Sequence, residues 1–153
     1  MAYYIFEKTQ RLPIDMETAW QYFSSPANLK DITPPYMKMT QLSGFESKMF
    51  PGQIITYKVS PVAGIPINWM TEIKHVSNQH YFIDEQRFGP YALWHHLHTF
   101  KAVSGGIEMS DIVNYKLPLG FLGTIAHTLF VKKQIHQIFN YRYQRLEKIF
   151  GKM

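Results

Sequence analysis

A single long helical segment at the end of the chain is the strongest constraint on the fold. Between residues 124 and 150, apolar residues recur at helical spacing, with Thr124 as the predicted N-cap and Gly151 as the stop. Isolated helices gain little stability in water, so this helix must lie on an apolar surface. The residues predicted to face that surface are Leu129, Ile138, Phe139 and Leu146.

The preceding segments contain short strand-like stretches separated by turn residues, as is typical of an antiparallel sheet. Residues 3–12 alternate as a first strand, and Asp15 and Ser25 then cap two short helices, the second of which ends before Pro34. Six more strands are predicted at residues 37–45, 53–60, 67–76, 81–88, 91–103 and 107–117, and 61–66 is predicted to be a connector. The fold class that follows is α+β: a seven-stranded antiparallel sheet wrapped around the C-terminal helix, with a cavity between the two layers.

Length and composition exclude several classes of protein. At 153 residues the chain is predicted to form one domain, residues 1–153, and the lack of cysteine excludes disulfides, thiolate nucleophiles and cysteine-ligated metals. The N-terminus lacks a signal-peptide pattern, and no run approaches the ~18 apolar residues of a membrane span. These features predict a soluble cytoplasmic protein.

The chain is basic, with a formal net charge of +5. Its Lys and Arg residues are scattered, except for Lys132-Lys133 and the series Arg142, Arg145 and Lys148. Basic and aromatic residues are not interleaved on one platform, so we expect a solvated helix face and no specific nucleic-acid partner.

The most distinctive chemistry lies in the stretch FIDEQRFGPYALWHHLHTF, which is predicted to fold back on itself at Gly89-Pro90. One face of its first strand carries Phe82, Asp84, Gln86 and Phe88, and one face of its second carries Ala92, Trp94, His96, His98 and Phe100. A strand face that only packs into the core would carry aliphatic residues, and a solvent-exposed face would lack aromatic residues. The mixture therefore indicates a lined cavity.

Asp84, His96 and His98 permit three interpretations. The two imidazoles share a strand face and could hold a metal, but no third ligand stands at a recognised spacing, so we expect no metal and no cofactor. An Asp-His pair could instead act as a general base on an acidic C–H bond. We favour a hydrogen-bond network that positions a ligand, and we assign no catalytic residue.

Other elements are predicted to contribute to the same cavity. Trp69 is predicted to face inward with Thr71 and Ile73. Asp111 lies on an apolar strand face and is a candidate partner for a pocket histidine or for Arg142. The complete predicted ligand-binding set is Trp69, Asp84, Gln86, Phe88, Tyr91, Trp94, His96, His98, Phe100, Asp111 and Arg142.

Four pieces of the chain resemble a bacterial group of cyclase/dehydrase-like ligand-binding proteins. These pieces are PANLKDITPP, GIPINWMTEI, FIDEQRFGPYALWHHLHTF and DIVNYKLPLGFLG. The group is part of the SRPBCC superfamily, which includes the START, birch-pollen-allergen and polyketide-cyclase proteins, and the order of predicted elements resembles its helix-grip fold over the whole chain. The superfamily includes carriers, receptors, enzymes and chaperone cofactors, so the fold alone does not define a function.

The resemblance implies binding, with transport as an extension, of a small or medium apolar or amphipathic molecule that has a polar head. The alternatives are a cyclase, aromatase or dehydratase that uses Asp84 and a histidine, and a protein-interaction module that uses the outer sheet face. In helix-grip proteins the loop before the helix commonly borders the cavity mouth, which is expected at Pro34, Pro35, Leu119, Phe121 and Leu122. The last three are expected to gate the cavity, to touch a membrane transiently or to lie tucked under the sheet rim.

Overall fold

Seven strands form one sheet in the computed structural model, which describes residues 3–153. The strands are β1 Tyr4–Leu12, β2 Thr40–Gln41, β3 Ile54–Val62, β4 Ile65–Ser77, β5 Tyr81–Phe88, β6 Leu93–Val103 and β7 Gly106–Lys116. Their spatial order is β1-β7-β6-β5-β4-β3-β2, and neighbouring strands are antiparallel. The predicted α+β class and seven-stranded sheet are confirmed.

Two short helices follow β1, as predicted. The first, α1 Met16–Phe23, is capped by Asp15, whose carboxylate accepts a hydrogen bond from the Thr18 N–H at 2.7 Å. The second, Pro26–Ile32, is a 3₁₀ helix with Pro26 in its first turn, where the missing N–H has no helical partner to lose.

Most of the strand predicted at residues 37–45 does not form. A 3₁₀ turn occupies Pro35–Met37, Lys38 then adopts a left-handed conformation with φ 47°, and only Thr40–Gln41 pairs with β3. The proline restraint and the positive φ interrupt the extended backbone that a longer strand requires.

The connector predicted at residues 61–66 is instead the tip of a hairpin. Strand β3 continues to Val62 and β4 begins at Ile65, while Ala63 and Gly64 have φ values of 50° and 70°. Two central residues with positive φ form a turn whose twist matches that of the flanking strands. A register shift between Val59 and Val62 marks a bulge in β3 beside this tip.

The C-terminal helix runs from Gly120 to Phe150 and begins one turn before the predicted cap. It consists of α2 Gly120–Ala126, a π-helical turn His127–Val131 and α3 Lys132–Phe150. Thr124 lies inside α2, where a Cβ on the neighbouring Gly123 would be 2.3 Å from the Pro118 carbonyl oxygen. The glycine therefore lets the first turn pack against the loop that precedes it. No helix of residues 3–153 combines the length and apolar character needed to cross a membrane.

The buried face of α3 consists of Ile135, Phe139, Arg142 and Leu146. The prediction that Leu129 shares this face is wrong, because Leu129 is 60% exposed. Helical residues advance by about 100° each, so Leu129 lies on the opposite side of a regular helix from Ile138.

Polar residues divide the apolar interior. On β7, Asp111 separates Met109, which belongs to one core cluster, from Val113, which belongs to another. Arg142 holds the equivalent place on α3, between Phe139 and Leu146. Buried charged groups are rare in a hydrophobic core, so the buried charged residues Asp111 and Arg142 indicate a functional site.

Candidate ligand-binding site

Five polar side chains meet between the sheet and the helix, and we call them the polar cluster. They are Asp84 on β5, His96 and His98 on β6, Asp111 on β7 and Arg142 on α3. The strand register brings four of them together, because Asp84 pairs with His96 and His98 pairs with Asp111. Their side chains point to the same face of the sheet, since residues at alternate positions share a face.

The two imidazoles lie between the two carboxylates. His98 Nε2 is 2.6 Å from Asp84 Oδ2, and His96 Nε2 is 2.8 Å from Asp111 Oδ1. The centroids of the two rings are 3.6 Å apart, and His98 Nδ1 is also 3.2 Å from Asp111 Oδ1. Each carboxylate is therefore anchored by at least one histidine.

Arg142 adds a cation from the helix side. Its Nη1 donates a hydrogen bond to Asp111 Oδ1 at 3.3 Å, and its guanidinium carbon lies 4.7 Å from the centroid of the Phe139 ring. A charged hydrogen bond and a cation–π contact together fix the orientation of the guanidinium.

Both carboxylates are held in the ionised form. Burial favours the neutral acid, but the hydrogen bond from His98 and the charges around Asp84 outweigh it and lower the pKa of Asp84. Burial acts on Asp111 in the same way, yet the charge of Arg142 and the histidine hydrogen bonds hold the pKa of Asp111 well below its usual range.

The pKa values of the two histidines shift in opposite directions. Burial, together with the charge of His98, lowers the pKa of His96 despite the hydrogen bond to Asp111. Burial also acts on His98, but its hydrogen bonds to Asp111 and Asp84 prevail and raise its pKa. Two imidazolium rings with centroids 3.6 Å apart would repel each other, so a proton on His98 opposes protonation of His96.

A cavity of about 250 Å³ borders the polar cluster, and we call it the main cavity. One wall is aromatic: the ring centroids of Trp69 and Trp94 are 5.4 Å apart and nearly perpendicular, and those of Tyr91 and Trp94 are 4.7 Å apart. The Trp69 indole N–H donates to the Thr71 hydroxyl at 3.1 Å, which fixes the ring against the strand. Most of the remaining lining is aliphatic or methionine.

Most of the predicted ligand-binding residues line the main cavity. These are Trp69, Asp84, Tyr91, Trp94, His96, His98 and Arg142. Asp111 does not line the cavity but joins the polar cluster through the contacts described above. The inward placement of Trp69, Thr71 and Ile73 was also predicted correctly, since Thr71 and Ile73 are buried. That these residues bind a ligand stays a prediction.

Gln86 and Phe88 do not line the main cavity. The Gln86 side chain accepts a hydrogen bond from the Tyr91 N–H at 3.1 Å and donates one to the Tyr91 carbonyl oxygen at 2.7 Å, so it closes the turn between β5 and β6. Phe88 is 63% exposed. A register shift in the pairing of β4 with β5 marks a bulge at this end, which interrupts the alternation on which the prediction depended.

Phe100 belongs to the core instead of the cavity wall. It is buried, and its ring centroid lies 5.6 Å from that of Trp20 and 5.5 Å from that of Phe23. Both partners come from α1, which covers this end of β6. Alternation thus identified the inward face of β6 but not which part of that face borders a cavity.

Several lining residues were not singled out from the sequence. Tyr57 on β3 borders the cavity, and burial, with a smaller contribution from the charge of Asp84, raises the pKa of its hydroxyl. In the sequence, Ile55, Tyr57 and Val59 occupy alternate positions of a predicted strand, and this pattern could have identified Tyr57 as inward-facing. All three residues are buried. Met37 and Met39 also line the cavity, but Met37 ends the 3₁₀ turn and Met39 lies outside any helix or strand, so strand periodicity does not identify them.

The two prolines predicted at the cavity mouth flank it without lining it. Pro34 is buried and Pro35 is exposed, whereas Thr33 and Met37 on either side line the main cavity. The segment is therefore at the cavity wall, but its prolines shape the backbone and do not present a contact surface there.

An exposed apolar ridge runs along the start of the C-terminal helix. It consists of Leu119, Phe121, Leu122, Ile125, Leu129 and Phe130, which are between 48% and 76% exposed. The interpretation that the first three are tucked under the sheet rim is therefore wrong. Leu117, just before the ridge, lines the main cavity, so the ridge begins at the cavity border.

Asp84, His96 and His98 also offer three possible metal-ligand atoms within 4.8 Å of one another. The sequence already grouped the two histidines with Asp84 on the neighbouring strand, but it did not give the distances between their ligand atoms. The short hydrogen bond from His98 Nε2 to Asp84 Oδ2 already occupies one atom of each of these two residues, and the charge of Arg142 opposes a nearby cation. The arrangement fits a hydrogen-bonded network better than a metal centre.

No family model and no curated protein matches the chain. Solved structures do share its fold. Protein CV1439 from Chromobacterium violaceum has a TM-score of 0.73 at 13% identity, covering 98% of this chain and 99% of that one. Protein Ms6760 from Mycobacterium smegmatis has a TM-score of 0.67 at 19% identity, covering 95% and 92% respectively. For Ara h 8.0201 the TM-score is 0.61 at 13% identity, covering 96% of this chain and 99% of that one.

At these identities the matches define the fold and not the ligand. With its antiparallel sheet and long C-terminal helix, the chain therefore has the same helix-grip fold as these solved structures.

Proposed function

We propose that the protein binds a small or medium apolar molecule with a polar end in the main cavity. The observation that carries the proposal is the polar cluster at the edge of a cavity whose other walls are apolar and aromatic. A volume of about 250 Å³ is close to the lower limit of small-molecule pockets, which favours a small ligand. The apolar body would contact Trp69, Tyr91 and Trp94.

Two groups at the cavity wall are suited to a polar end. Asp84 contacts the histidines through Oδ2, which leaves its second oxygen as a free acceptor. The Tyr57 hydroxyl is protonated at neutral pH, as tyrosine ordinarily is, and burial raises its pKa further, so it can donate. A ligand that buries its polar end here would replace the water that these groups otherwise need.

An anionic bilayer is the proposed source of the ligand. The exposed apolar ridge lies at the border of the main cavity, and the exposed Lys132 and Lys133 follow it directly. No Asp or Glu occurs between Asp111 and Glu147, so nothing along this segment repels anionic lipid. Apolar side chains with flanking lysines are typical of helices that lie in a membrane interface.

The second candidate is a cyclase, aromatase or dehydratase. The specific observation in its favour is the 2.6 Å contact between His98 and Asp84 beside the cavity, a pair that could move a proton to or from a substrate. Recovery of a bound molecule in chemically unchanged form after long incubation would contradict this candidate. Net conversion of that molecule would contradict simple binding.

A cavity-filling substitution tests the proposed binding directly. Ile138 lines the main cavity on α3, so Ile138→Trp should occupy the space and lower the affinity for 2-acetylnaphthalene, an apolar probe with one polar group, at least tenfold. Ile149→Trp is the matched control, since Ile149 is on the same helix, 38% exposed and outside the cavity lining. Equal affinity of the two variants would contradict binding in the main cavity. Native mass spectrometry of protein purified from its own cells would identify the natural ligand.

A further inference from the structure

A second, smaller cavity of about 80 Å³ adjoins the polar cluster. Asp84, His98 and Arg142 line both cavities, whereas Tyr22 and Asn28 line only the smaller one. These three members of the polar cluster therefore form a wall common to two spaces, of which the main cavity is the larger.

Two buried polar atoms of residues at the smaller cavity have no hydrogen-bond partner within residues 3–153. They are Arg142 Nε and Tyr22 Oη. Arg142 is only 9% exposed, and its Nη1 is already bonded to Asp111. Folded proteins rarely leave such groups unpaired, because the desolvation of an unpaired donor is not compensated.

The chemistry of these two atoms defines the partner that they lack. The Arg142 Nε–H can only donate, and the Tyr22 hydroxyl can donate as well. An oxygen acceptor is therefore the partner that suits each of them. The available volume has room for a few water molecules or for one small group at the end of a larger molecule.

The surrounding charge favours a neutral acceptor. The charge of Arg142 is paired with Asp111 at 3.3 Å, and Asp84 is the other carboxylate of the cluster. A ligand carboxylate would add an anion next to these two acids, whereas a carbonyl oxygen accepts hydrogen bonds without adding charge.

We propose that the smaller cavity receives a neutral carbonyl oxygen of the ligand, which accepts hydrogen bonds from Arg142 Nε and Tyr22 Oη. The inference rests on the proposed function, because the apolar body of the same ligand occupies the main cavity. The ligand class is thus a ketone, ester, amide or quinone with an aromatic or aliphatic body.

Three probes with one naphthalene body separate the possibilities: 2-acetylnaphthalene, 2-ethylnaphthalene and 2-naphthoate. Equilibrium dialysis with the wild-type protein should show tighter binding of the ketone than of the other two. Tyr22→Phe removes only the hydroxyl, so it should weaken ketone binding about fivefold to tenfold and leave the affinity for 2-ethylnaphthalene unchanged. Tyr36→Phe is the matched control, since Tyr36 is 48% exposed and lines neither cavity.

The ligand-free Tyr22→Phe variant adds a second readout. It should melt at the same temperature as the wild type or higher, because an unpaired buried hydroxyl has been removed. Equal binding of ketone and hydrocarbon to the wild type would overturn the carbonyl site and leave the proposed function intact, with water as the partner of the two atoms. Tighter binding of the naphthoate would overturn the neutral class. If none of the probes binds, the proposed function and this inference both fail.

Discussion

His96 and His98 face each other with 3.6 Å between their ring centroids, and their Nε2 atoms bond different carboxylates. Asp111 is the member that connects most of the cluster, since its Oδ1 contacts His96, His98 and Arg142. Such a network is interdependent, because removal of one partner leaves the others buried and unpaired. The polar cluster should therefore contribute to stability and to binding together.

Asp111→Asn should lower the free energy of unfolding by about 3–5 kcal/mol, because Arg142 loses its buried counter-charge. Glu108→Gln is the control on the same strand: Glu108 pairs with Arg11 at 2.8 Å on the surface, and exposed pairs contribute about 0–1 kcal/mol. Urea denaturation at pH 7 measures the loss of unfolding free energy in each variant. Similar losses in the two variants would mean that the cluster is no more important than a surface ion pair.

Stability should also depend on pH through His98. The pKa of His98 is raised in the folded state, so its contribution is complete below about pH 6.5, the ordinary value for histidine, and disappears as the pH rises through the raised pKa. The difference in unfolding free energy between wild type and His98→Gln should shrink from pH 6 to pH 9. Urea denaturation across this range tests the sign. A difference that stayed constant would show that His98 is not protonated preferentially in the folded protein.

Strand periodicity predicted part of the polar cluster from the sequence. Alternation predicted that Asp84 on one strand and His96 and His98 on the next strand face the same side, and the structure confirms this. Asp111 was a candidate partner from its apolar strand face, but the 2.8 Å contact with His96 depends on the register between β6 and β7. In this hairpin the register follows from the two-residue turn that pairs Val103 with Gly106, so the contact requires the turn geometry as well as the alternation.

The errors have equally physical causes. Phe88 follows a bulge, where one extra residue reverses the facing of the side chains after it. The helix begins at Gly120, directly after the left-handed Leu119, and a pattern of apolar residues does not reveal such a backbone conformation. The unpaired atoms of Tyr22 and Arg142 depend on contacts between distant elements, so only the folded structure shows them.

Leu146→Ala should lower the free energy of unfolding by about 2–5 kcal/mol, because Leu146 is fully buried and its removal leaves a cavity. Leu129→Ala is the same chemical change on the same helix at a position that is 60% exposed, so it should have an effect below about 0.5 kcal/mol. Thermal unfolding of the two variants provides the comparison. A larger loss in Leu129→Ala would mean that the exposed ridge is buried in solution.

Binding to nucleic acid should be weak and nonspecific despite the net charge of +5. Contacts from scattered Lys and Arg residues release counterions without reading bases, so the affinity should fall steeply with salt. Fluorescence anisotropy with mixed-sequence DNA and RNA at 50 and 200 mM salt is a direct measurement. Tight, sequence-selective binding at the higher salt concentration would contradict the interpretation of the basic helix face as solvated.

The exposed apolar ridge should mediate docking to anionic bilayers. Phe121→Ser with Leu122→Ser removes two side chains that are 73% and 53% exposed, so the melting temperature should change little while vesicle binding is lost. Cosedimentation with vesicles of equal parts phosphatidylglycerol and phosphatidylcholine measures the binding. Lys132→Ala with Lys133→Ala should weaken it roughly tenfold or more, at about 1 kcal/mol for each lysine near the surface.

Phe45→Ser is the matched control for the ridge, since Phe45 is 71% exposed but lies between β2 and β3, away from the C-terminal helix in the chain. It should bind vesicles as the wild type does, because the proposed membrane surface is the ridge and not exposed aromatic area in general. Pure phosphatidylcholine vesicles should bind the wild type more weakly, since they offer no anionic surface to the lysines. Equal binding by the ridge variant and the Phe45 variant would remove the membrane as a partner. In that case the ridge would remain an exposed apolar surface that adjoins the cavity without taking part in its loading.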